Sequence, residues 1–491
     1  MDTGMKNMTL EKVAEACGGI LHRSGEKNDC MGRDCESKQC PDEKGPDTAQ
    51  EASCVVIDSR KIEPGGIFIA TKGAAVDGHT FIPQVAAQGA LGVVCEKAPS
   101  ECDIPKGFPF ILVEDSFQAL KDIAEYYRSQ LAIPVVGITG SVGKTSTKEF
   151  IAAVLSVKLK VLKTEGNYNN EIGLPLTVLS VRREHEAAVL EMGISDFGEM
   201  HRLSKIARPD HVVMTNIGQS HLERLGSREG ILKAKSEIFD FMNPEGSVFV
   251  NGDDDLLCRM REKEGRKVFH FGLNPSNEIF ASDLESHGLS GTHAVIHGNL
   301  KVFPAEIPLP GDHMVLDALA AAAVGMHFGL TPGEIARGIS QVEIVKGRGA
   351  VLKLPFCTVI DGSYNANPGS MKAAIEMLTL APERKVALLG DMFELGEEKE
   401  RLHGETGAFA VAQKLDVLVC TGELSRAMYE EARACAEKSE SAGKMEIFYF
   451  ESLDEMMGEL PRILRKGDAV LVKASHAMGF EKVVEWLKQA V

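Results

Sequence analysis

The sequence has no apolar run long enough to cross a membrane. Its longest nearly apolar stretch covers residues 318–330 and contains His327, whereas a membrane-spanning helix needs roughly 20 apolar residues. The first residues also lack the profile of a signal peptide, because Asp2 comes early and no apolar core precedes Leu10. Both absences predict a cytoplasmic protein without a membrane span.

An excess of positive charge is absent as well. Lys and Arg number 54 against 71 Asp and Glu, giving a formal net charge of −17. Basic residues never cluster beyond adjacent pairs. The sequence therefore shows no basic cluster that could make the phosphate contacts that dominate nucleic-acid binding. Nucleic acid is therefore not a predicted partner.

Cysteine is too sparse for a disulfide framework, with 11 in 491 residues. Cys357 and Cys420 lie in apolar, strand-like runs, which favours reduced, buried thiols. Cys30, Cys35 and Cys40 lie in a polar insert at about residues 23–52. Their even spacing lacks the two tight pairs of a zinc site, so we favour a loosely ordered loop, with metal or redox function as the alternative.

What the sequence does contain is an alternation of apolar runs with helical periods, which predicts the α/β class. The length predicts about three domains, which we place at residues 1–112, 113–343 and 344–491. Short alternating runs at residues 267–271 and 293–297 indicate antiparallel hairpins added to a parallel central sheet. The last segment repeats strand and helix, which indicates a second, Rossmann-like parallel sheet.

A phosphate-binding loop follows the predicted strand at residues 133–138. Glycines allow backbone amides to surround a phosphate, a lysine reaches its oxygens and a hydroxyl can bind Mg²⁺. Ile138 stands where the strict P-loop pattern has glycine, so this loop is a variant. The nucleotide-binding residues predicted here are Gly140, Ser141, Val142, Gly143, Lys144, Thr145 and Ser146.

Two further residues fit a metal-dependent phosphoryl site. Glu191 ends the predicted strand at residues 187–190, and His221 follows the one at residues 212–215. Ligands of parallel sheets collect at the carboxyl ends of strands, and carboxylate and imidazole both bind metals. We predict both as metal ligands.

Lys235 lies in the middle of an apolar helical stripe that we predict from Ile231 to Met242. An unpaired buried ammonium is costly, so this lysine needs a partner or a chemical change. An Asp or Glu partner is one interpretation. The other is addition of CO₂ to the neutral amine, giving a carbamate that can bind Mg²⁺ or its waters.

Several motifs together resemble one family, the Mur ligases of peptidoglycan synthesis, from about Leu10 to Leu487, leaving out the cysteine-containing insert. The motifs include Ile57-Asp58-Ser59-Arg60, Thr139–Ser146, Gly166-Asn167-Tyr168-Asn169-Asn170, Glu191-Met192-Gly193, Lys233-Ala234-Lys235, Gly347-Arg348, Asp361-Gly362-Ser363-Tyr364-Asn365-Ala366-Asn367-Pro368, Gly390-Asp391-Met392 with Glu394-Leu395-Gly396, and Lys473-Ala474-Ser475. The resemblance is strongest to the members that add D-alanyl-D-alanine.

The resemblance implies a UDP-sugar-binding first domain, a P-loop ATPase domain and a C-terminal domain that closes over the site. It implies an ATP-dependent amide ligase acting on UDP-N-acetylmuramoyl-tripeptide and D-alanyl-D-alanine through an acyl phosphate, with two Mg²⁺. Separately, we expect a monomer. It assigns catalysis to Lys144, Glu191, His221 and a carbamylated Lys235, and metal binding to Thr145 and the last three. It assigns nucleotide binding also to Asp317, Arg348 and Asp361, and substrate binding to Ser59, Arg60, Asn169, Asn170, Tyr364, Asn365, Asn367 and Ser475.

The chain departs from the family pattern at two positions. Asp317 stands where relatives carry an Asn that meets adenine, which removes an amide donor. His476 stands where relatives often carry Arg after Lys-Gly-Ser, which weakens a carboxylate contact and makes it depend on pH.

Two alternative functions remain from the sequence. A folylpolyglutamate synthase-like ligase shares the P-loop but lacks the motif at residues 364–368 and the UDP-sugar domain. A non-catalytic nucleotide-binding relative would have lost Lys144, Glu191, His221 or Lys235, and all four are present.

Overall fold

The structure is a computed structural model that describes residues 4–25, 49–73, 76–100, 102–343, 345–438 and 445–490. Within these ranges the chain forms three sheets flanked by helices, which confirms the predicted α/β class. None of the helices in these ranges has both the length and the hydropathy to span a membrane. Cys30, Cys35 and Cys40 lie outside the described residues.

The first sheet has the strand order β1-β5-β4-β3-β2, in which only the β1–β5 pairing is antiparallel among the described pairs. Its elements are α1 (Leu10–Ala16), β1 (Ile20–Arg23), β2 (Val55–Val56), β3 (Ile67–Ile69), α2 (Ile82–Ala87), β4 (Gly92–Cys95) and β5 (Pro109–Leu112). Thr9 caps α1 by accepting from Lys12 N, and the positive φ of Gly18 ends the turn that follows it.

The second sheet has the order β15-β14-β13-β12-β10-β9-β6-β8-β7, with β11 paired to β12. Its strands are β6 (Val135–Thr139), β7 (Val161–Lys163), β8 (Ala187–Glu191), β9 (His211–Met214), β10 (Ser247–Asn251), β11 (Glu262–Lys263), β12 (Arg266–Gly272), β13 (Ile279–Ser286), β14 (Thr292–Gly298) and β15 (Lys301–Ile307). The hairpin prediction is correct for residues 293–297, since β14 pairs antiparallel with β13 and β15. Residues 267–271 instead continue the parallel part, because β12 is parallel to β10 and β13 and antiparallel only to the two-residue β11.

Helices cover both faces of this sheet. They are α3 (Ser116–Ser129), α4 (Lys144–Leu155), α5 (Gly173–Leu179), α6 (Glu199–Ala207), α7 (Leu222–Leu225), α8 (Arg228–Ser236), α9 (Asp312–His327) and α10 (Pro332–Ser340). The capping box of Thr331 and Glu334 starts α10 as its Thr-Pro sequence predicts.

The phosphate-loop helix α4 is held tightly by α9 and α10. A Cβ atom on Gly338 would lie 2.4 Å from Val154 Cα, and one on Gly325 would lie 2.7 Å from Val154 Cγ1. The alanine run of α9 is buried against the same cluster. The glycines therefore allow α10 to approach the backbone of α4 closely and α9 to pack directly against the Val154 side chain.

The predicted helix from Ile231 to Met242 is wrong in its extent. The α-helix α8 ends at Ser236 and a 3₁₀ turn follows at Glu237–Phe239. The tightened turn satisfies carbonyls at the helix end, since Asp240 N donates to Glu237 O at 3.1 Å. The stripe still points inward, because Ile231, Lys235 and Met242 are all buried.

The third sheet has the order β16-β17-β21-β18-β19-β20, with only β16 antiparallel among the described strands. Its strands are β16 (Ala350–Lys353), β17 (Thr358–Asp361), β18 (Lys385–Gly390), β19 (Val417–Thr421), β20 (Glu446–Phe450) and β21 (Ala469–Lys473). Its helices are α11 (Pro368–Thr379), α12 (Lys399–Ala412), α13 (Ser425–Lys438), α14 (Leu453–Ile463) and α15 (Glu481–Gln489). The second parallel sheet is thus present as predicted.

Candidate active site

A cavity of about 800 Å³ lies where the carboxyl ends of the second and third sheets face each other. Residues following β6, β8 and β9 form one wall, and residues following β17, β18 and β21 form the other. Of the predicted site residues, the cavity is lined by Ser141, Val142, Gly143, Lys144, Thr145, Ser146, Asn169, Asn170, Glu191, His221, Arg348, Tyr364, Asn365, Asn367 and Ser475. Two segments far apart in sequence therefore share one site.

The phosphate loop is shaped by its contacts with the strand-end segment after β9. Asn216 Oδ1 accepts from Val142 N at 3.0 Å, and its amide donates to Val142 O at 3.0 Å. A Cβ atom on Gly140 would lie 1.9 Å from Thr215 Oγ1, so glycine is required there. Lys144 Nζ donates to Gly140 O at 2.8 Å, which holds the lysine over the loop.

Glu191 and Thr145 form the buried acidic part of the wall. Thr145 Oγ1 donates to Glu191 Oε2 at 2.8 Å, and Asn169 Nδ2 donates to Oε1 at 2.7 Å. The Glu191 side chain has no solvent exposure. Both carboxylate oxygens are thus fixed by neutral donors, which orients the group toward the phosphate loop.

Lys235 is 1% exposed and lies near enough to Lys144 for the two charges to interact. Among the described ion pairs none includes it, so the Asp or Glu partner of the first interpretation is not found in the described ranges. Burial, and then the Lys144 ammonium, lowers the pKa of the Lys235 amine well below its usual value. Burial likewise lowers the pKa of Lys144, although Glu191 opposes this. The surroundings of Lys235 therefore favour a neutral amine.

His221 lines the cavity in a left-handed backbone conformation, with φ 59°. Its Nδ1 lies 2.5 Å from Glu394 Oε2, which comes from the loop after β18. The two groups are in close contact without the geometry of a hydrogen bond. His221 of one wall therefore contacts Glu394 of the other wall across the cavity.

Asp317 does not line the cavity but lies beneath the phosphate loop. Thr147 Oγ1 donates to its Oδ1 at 2.5 Å, and the second oxygen, Oδ2, is buried without a partner among the described residues. Burial raises the pKa of Asp317 to about 7, although the Ser146 and Thr147 hydroxyls oppose the rise. A carboxyl group here is costly to ionise.

We expect Asp317→Asn to stabilise the protein selectively at high pH. A carboxyl whose folded pKa lies above its unfolded value binds its proton more tightly when folded, so the stability it contributes is full below about pH 4 and lost toward pH 7. The variant's advantage in unfolding free energy should therefore grow by about 2 to 4 kcal/mol between pH 4 and pH 8. Denaturant unfolding at both pH values measures this. A difference that is constant with pH would contradict the raised pKa.

The third-sheet wall carries a stack of charged and aromatic groups. The Arg348 guanidinium carbon lies 3.9 Å from the Tyr364 ring centroid, and the His476 ring lies 5.5 Å from the same ring. Asp361 is buried and accepts from Gly347 N at 3.1 Å and Ser363 Oγ at 2.6 Å. Asp361 therefore shapes the loop that presents Arg348 rather than lining the cavity itself.

The remaining polar residues of this wall are fixed by contacts around them. Asn367 Nδ2 donates across the cavity to Ser220 Oγ at 3.0 Å, and Ser475 Oγ accepts from Phe393 N at 2.9 Å. Lys473 Nζ donates to Asn365 O at 2.8 Å. Burial, and then Arg348, lowers the pKa of Lys473 to about 8.

Two of the predicted substrate residues lie away from the cavity. Ser59 is buried in the first-sheet region, and Arg60 is largely exposed and pairs with Asp58 at 2.8 Å. Asn170 lines the cavity, but its Oδ1 accepts from Gly173 N at 2.9 Å at the start of α5. The structure thus does not bring Ser59 and Arg60 to the phosphate loop.

Sequence reasoning named Glu394 and Lys473 only as parts of family motifs and predicted no site role for either, whereas the structure places both in the site. Lys473 ends β21 and Glu394 follows β18, so both satisfy the same strand-end rule that identified Glu191. Applying that rule to the third sheet would have found them.

The chemistry of the wall suits a hard divalent cation. Mg²⁺ prefers oxygen ligands from carboxylates and hydroxyls, and Glu191 with Thr145 offers both within 2.8 Å of each other. His221 in the same cavity offers a ring nitrogen, a donor that suits Mg²⁺ less well. In the described part of the chain, no three His, Cys, Asp or Glu side chains form a metal-binding group.

Sequence models of one family match most of this architecture. The Mur ligase family catalytic domain matches residues 51–128, the Mur ligase middle domain residues 138–325, and the Mur ligase glutamate ligase domain residues 347–476. The matches follow the three sheets in order.

Individual relatives and solved structures agree with the family matches. The chain is 38% identical to the UDP-N-acetylmuramoyl-tripeptide–D-alanyl-D-alanine ligase of Bacillus subtilis over 88% of this chain and 92% of that protein. It is similar to the crystal structure of MurF from Acinetobacter baumannii, with TM-score 0.83, 29% identity and coverage of 99% and 100%. It is also similar to MurF ligase from Thermotoga maritima in complex with ADP, with TM-score 0.73, 30% identity and coverage of 89% and 97%.

Proposed function

The chain belongs to the Mur ligase family, and we propose that it is an ATP-dependent ligase that adds D-alanyl-D-alanine to UDP-N-acetylmuramoyl-tripeptide. The observation that carries this proposal is the shared cavity, which joins a phosphate loop on one wall to Arg348, Tyr364 and Lys473 on the other. The names of the relatives support this substrate pair over that of a folylpolyglutamate synthase-like ligase. The presence of Lys144, Glu191, His221 and Lys235 speaks against a non-catalytic relative.

Amide formation requires a carboxylate oxygen of the tripeptide, a poor leaving group, to be converted into phosphate, a good one. A carboxylate oxygen of the tripeptide attacks the γ-phosphorus of ATP, the bond to the bridging oxygen breaks, and ADP leaves. The amine of D-alanyl-D-alanine then attacks the acyl carbon of the acyl phosphate, phosphate leaves, and the amine loses a proton to give the amide. Lys144 and the amides at the start of α4 stabilise charge on the transferring phosphoryl group.

We propose that two Mg²⁺ are held by Thr145, Glu191, His221 and carbamylated Lys235. When bound, Mg²⁺ neutralises the charge that accumulates as one anion attacks another. Thr145 and Glu191 are already oriented toward each other and away from bulk water. The carbamate would add the second anionic oxygen ligand.

The case for the carbamate rests on the burial of Lys235 without an ion-pair partner in the described ranges. A neutral amine can attack the carbon of CO₂ and lose a proton, which converts the buried neutral amine into an anionic carbamate that a metal ion can neutralise. The neighbouring Lys144 ammonium would then attract the lysine instead of opposing its charge. Both changes favour the modified side chain.

The remaining parts of the proposal concern the other predicted site residues, the domain boundaries, the oligomeric state and the location of the protein. We propose that Ser59 and Arg60 contact the UDP-sugar, that Asn169, Asn170, Tyr364, Asn365, Asn367 and Ser475 contact the substrates, and that Arg348, Asp361 and Asp317 serve the nucleotide. We also propose domains at residues 1–112, 113–343 and 344–491, and a monomer that acts in the cytoplasm.

Phosphate release by the purified protein with ATP and Mg²⁺ tests the proposal. We expect release to need both UDP-N-acetylmuramoyl-tripeptide and D-alanyl-D-alanine, and mass spectrometry to show the pentapeptide product. Release without D-alanyl-D-alanine would indicate another ligase specificity. A folded protein that binds ATP and releases no phosphate with both substrates would contradict the proposed activity.

A further inference from the structure

Lys473 is a buried cation of the cavity wall that has no carboxylate partner among the described ion pairs. It ends β21 and is 7% exposed. Burial, and then the charge of Arg348, lowers its pKa to about 8, and Asp361 opposes the fall. The ammonium form therefore prevails at neutral pH. A buried cation of this kind is costly unless an anion approaches it.

Two backbone carbonyls hold the Lys473 ammonium and leave one of its hydrogens unused. Nζ donates to Asn365 O at 2.8 Å and, more weakly, to Gly362 O at 3.5 Å. An ammonium has three hydrogens to donate, and the described contacts account for two of them. Because Lys473 lines the cavity, the third hydrogen is available to a ligand there.

Two neutral donors line the same wall of the cavity, Ser475 and Asn365. Ser475 Oγ accepts from Phe393 N at 2.9 Å, and among the described contacts its hydroxyl hydrogen has no acceptor. Asn365 Oδ1 accepts from Ala366 N at 2.9 Å, which leaves the side-chain NH₂ as its remaining donor. An ammonium, a hydroxyl and an amide that all offer hydrogens form a set that suits an anion.

One anionic group of the proposed substrates keeps its charge throughout the reaction, the terminal carboxylate of D-alanyl-D-alanine. Lys144 and Arg348 serve the nucleotide in the proposed function, and Arg348, after burial, lowers the pKa of Lys144 as well as that of Lys473, so it lies near both. Lys473 remains for another anion. Ala366 and Ala477 line the cavity too, and small apolar side chains with a cation suit two methyl groups and a carboxylate.

We propose that Lys473, with Ser475 and Asn365, binds the terminal carboxylate of D-alanyl-D-alanine and so selects an acceptor whose carboxylate is free. The inference rests on the proposed function, because it names the group of that substrate which the third-sheet wall recognises. Anchoring the carboxylate on this wall also restricts where the amine at the other end of the dipeptide can lie. Lys473 is thus a specificity-determining residue for the second step of the reaction.

Replacing the carboxylate of the acceptor with a carboxamide tests this contact. Product formation is measured with D-alanyl-D-alanine and with D-alanyl-D-alaninamide, which has a neutral group of similar size. We expect the wild-type kcat/KM to favour the acid by about 10- to 100-fold, and Lys473→Met to remove most of this preference without changing the KM for ATP. Ser475→Ala should reduce the preference less. Lys466→Met is the matched control, because Lys466 is an exposed lysine just before β21, and it should keep the wild-type preference.

The ratio of the two acceptors separates recognition from a structural role, because a partly unfolded sample loses activity with both alike. Equal losses with the acid and the amide in Lys473→Met, or a raised KM for ATP with the preference kept, would overturn the proposal. Should that variant fail to fold, Lys473→Gln, which keeps a donor for Asn365 O, takes its place in the same comparison. A wild-type protein that makes the pentapeptide and accepts the amide equally well would overturn this inference alone. Failure of the wild-type protein to make the pentapeptide would instead count against the proposed function.

Discussion

Replacing Lys144 with alanine is expected to reduce turnover by about 10³-fold, because the variant loses the cation nearest the transferring phosphoryl group. Lys144 is held over the phosphate loop by its bond to Gly140 O and lines the shared cavity. No other lysine of α4 can replace it, since Lys148 Nζ donates to Thr164 O in the interior. The measurement is the rate of pentapeptide formation at saturating ATP.

The matched control for this variant is Lys158→Ala. Lys158 lies just beyond the far end of the same helix, is 42% exposed and pairs with Glu334, so its removal should leave turnover unchanged. The Lys144 variant should stay folded, because burial already disfavours the charge of this side chain. Thermal unfolding checks this. Normal turnover in a folded Lys144→Ala protein would contradict the role of the phosphate loop.

Lys235→Ala is expected to lower turnover by about 10²-fold or more, and short carboxylates such as acetate or formate should restore part of the loss. The reason is that a small acid can enter the space left by the side chain and supply the oxygen ligand of the missing carbamate. The rate is measured with increasing carboxylate at fixed ionic strength. Lys233→Ala, an exposed lysine two residues earlier on α8, should neither lose activity nor respond to carboxylate.

A second readout makes the carbamate visible without turnover. Wild-type protein incubated with ¹³C-bicarbonate should give a carbamate carbon signal that Lys235→Ala lacks and Lys233→Ala retains. A variant that loses activity, is not rescued and matches the wild-type spectrum would refute the carbamate while leaving Lys235 a buried structural residue. Full activity in Lys235→Ala would contradict any role of Lys235 in catalysis.

The parts of the site that could be predicted are those whose signals are local. The loop around Lys144, its strand and its helix are contiguous, and hydrophobic periodicity placed Glu191 and His221 at strand ends. The α/β class and the inward position of Lys235 follow from the same periodicity. These features depend on residues a few positions apart.

What could not be predicted depends on partners distant in sequence. Nothing local shows that Glu394 meets His221, or that Asp317 lies under the loop bonded to Thr147. The strand β12 has the alternating pattern of a hairpin, but its neighbours in the sheet are set by the crossover that precedes it. The end of α8 depends on a backbone turn that leaves the apolar stripe intact.

The glycines that pack against α4 are expected to tolerate substitution poorly, although they lie far from the phosphate loop. At Gly325 and Gly338 even one added methyl group meets Val154 at less than 3 Å. At Gly338 the atom met is a backbone atom, so the lost space can be regained there only by moving a helix. Moving α4 displaces the amides and the lysine at its other end, more than two turns away. Changes to apparently inert small residues on α9 and α10 are therefore expected to disturb the phosphate loop as well as the packing.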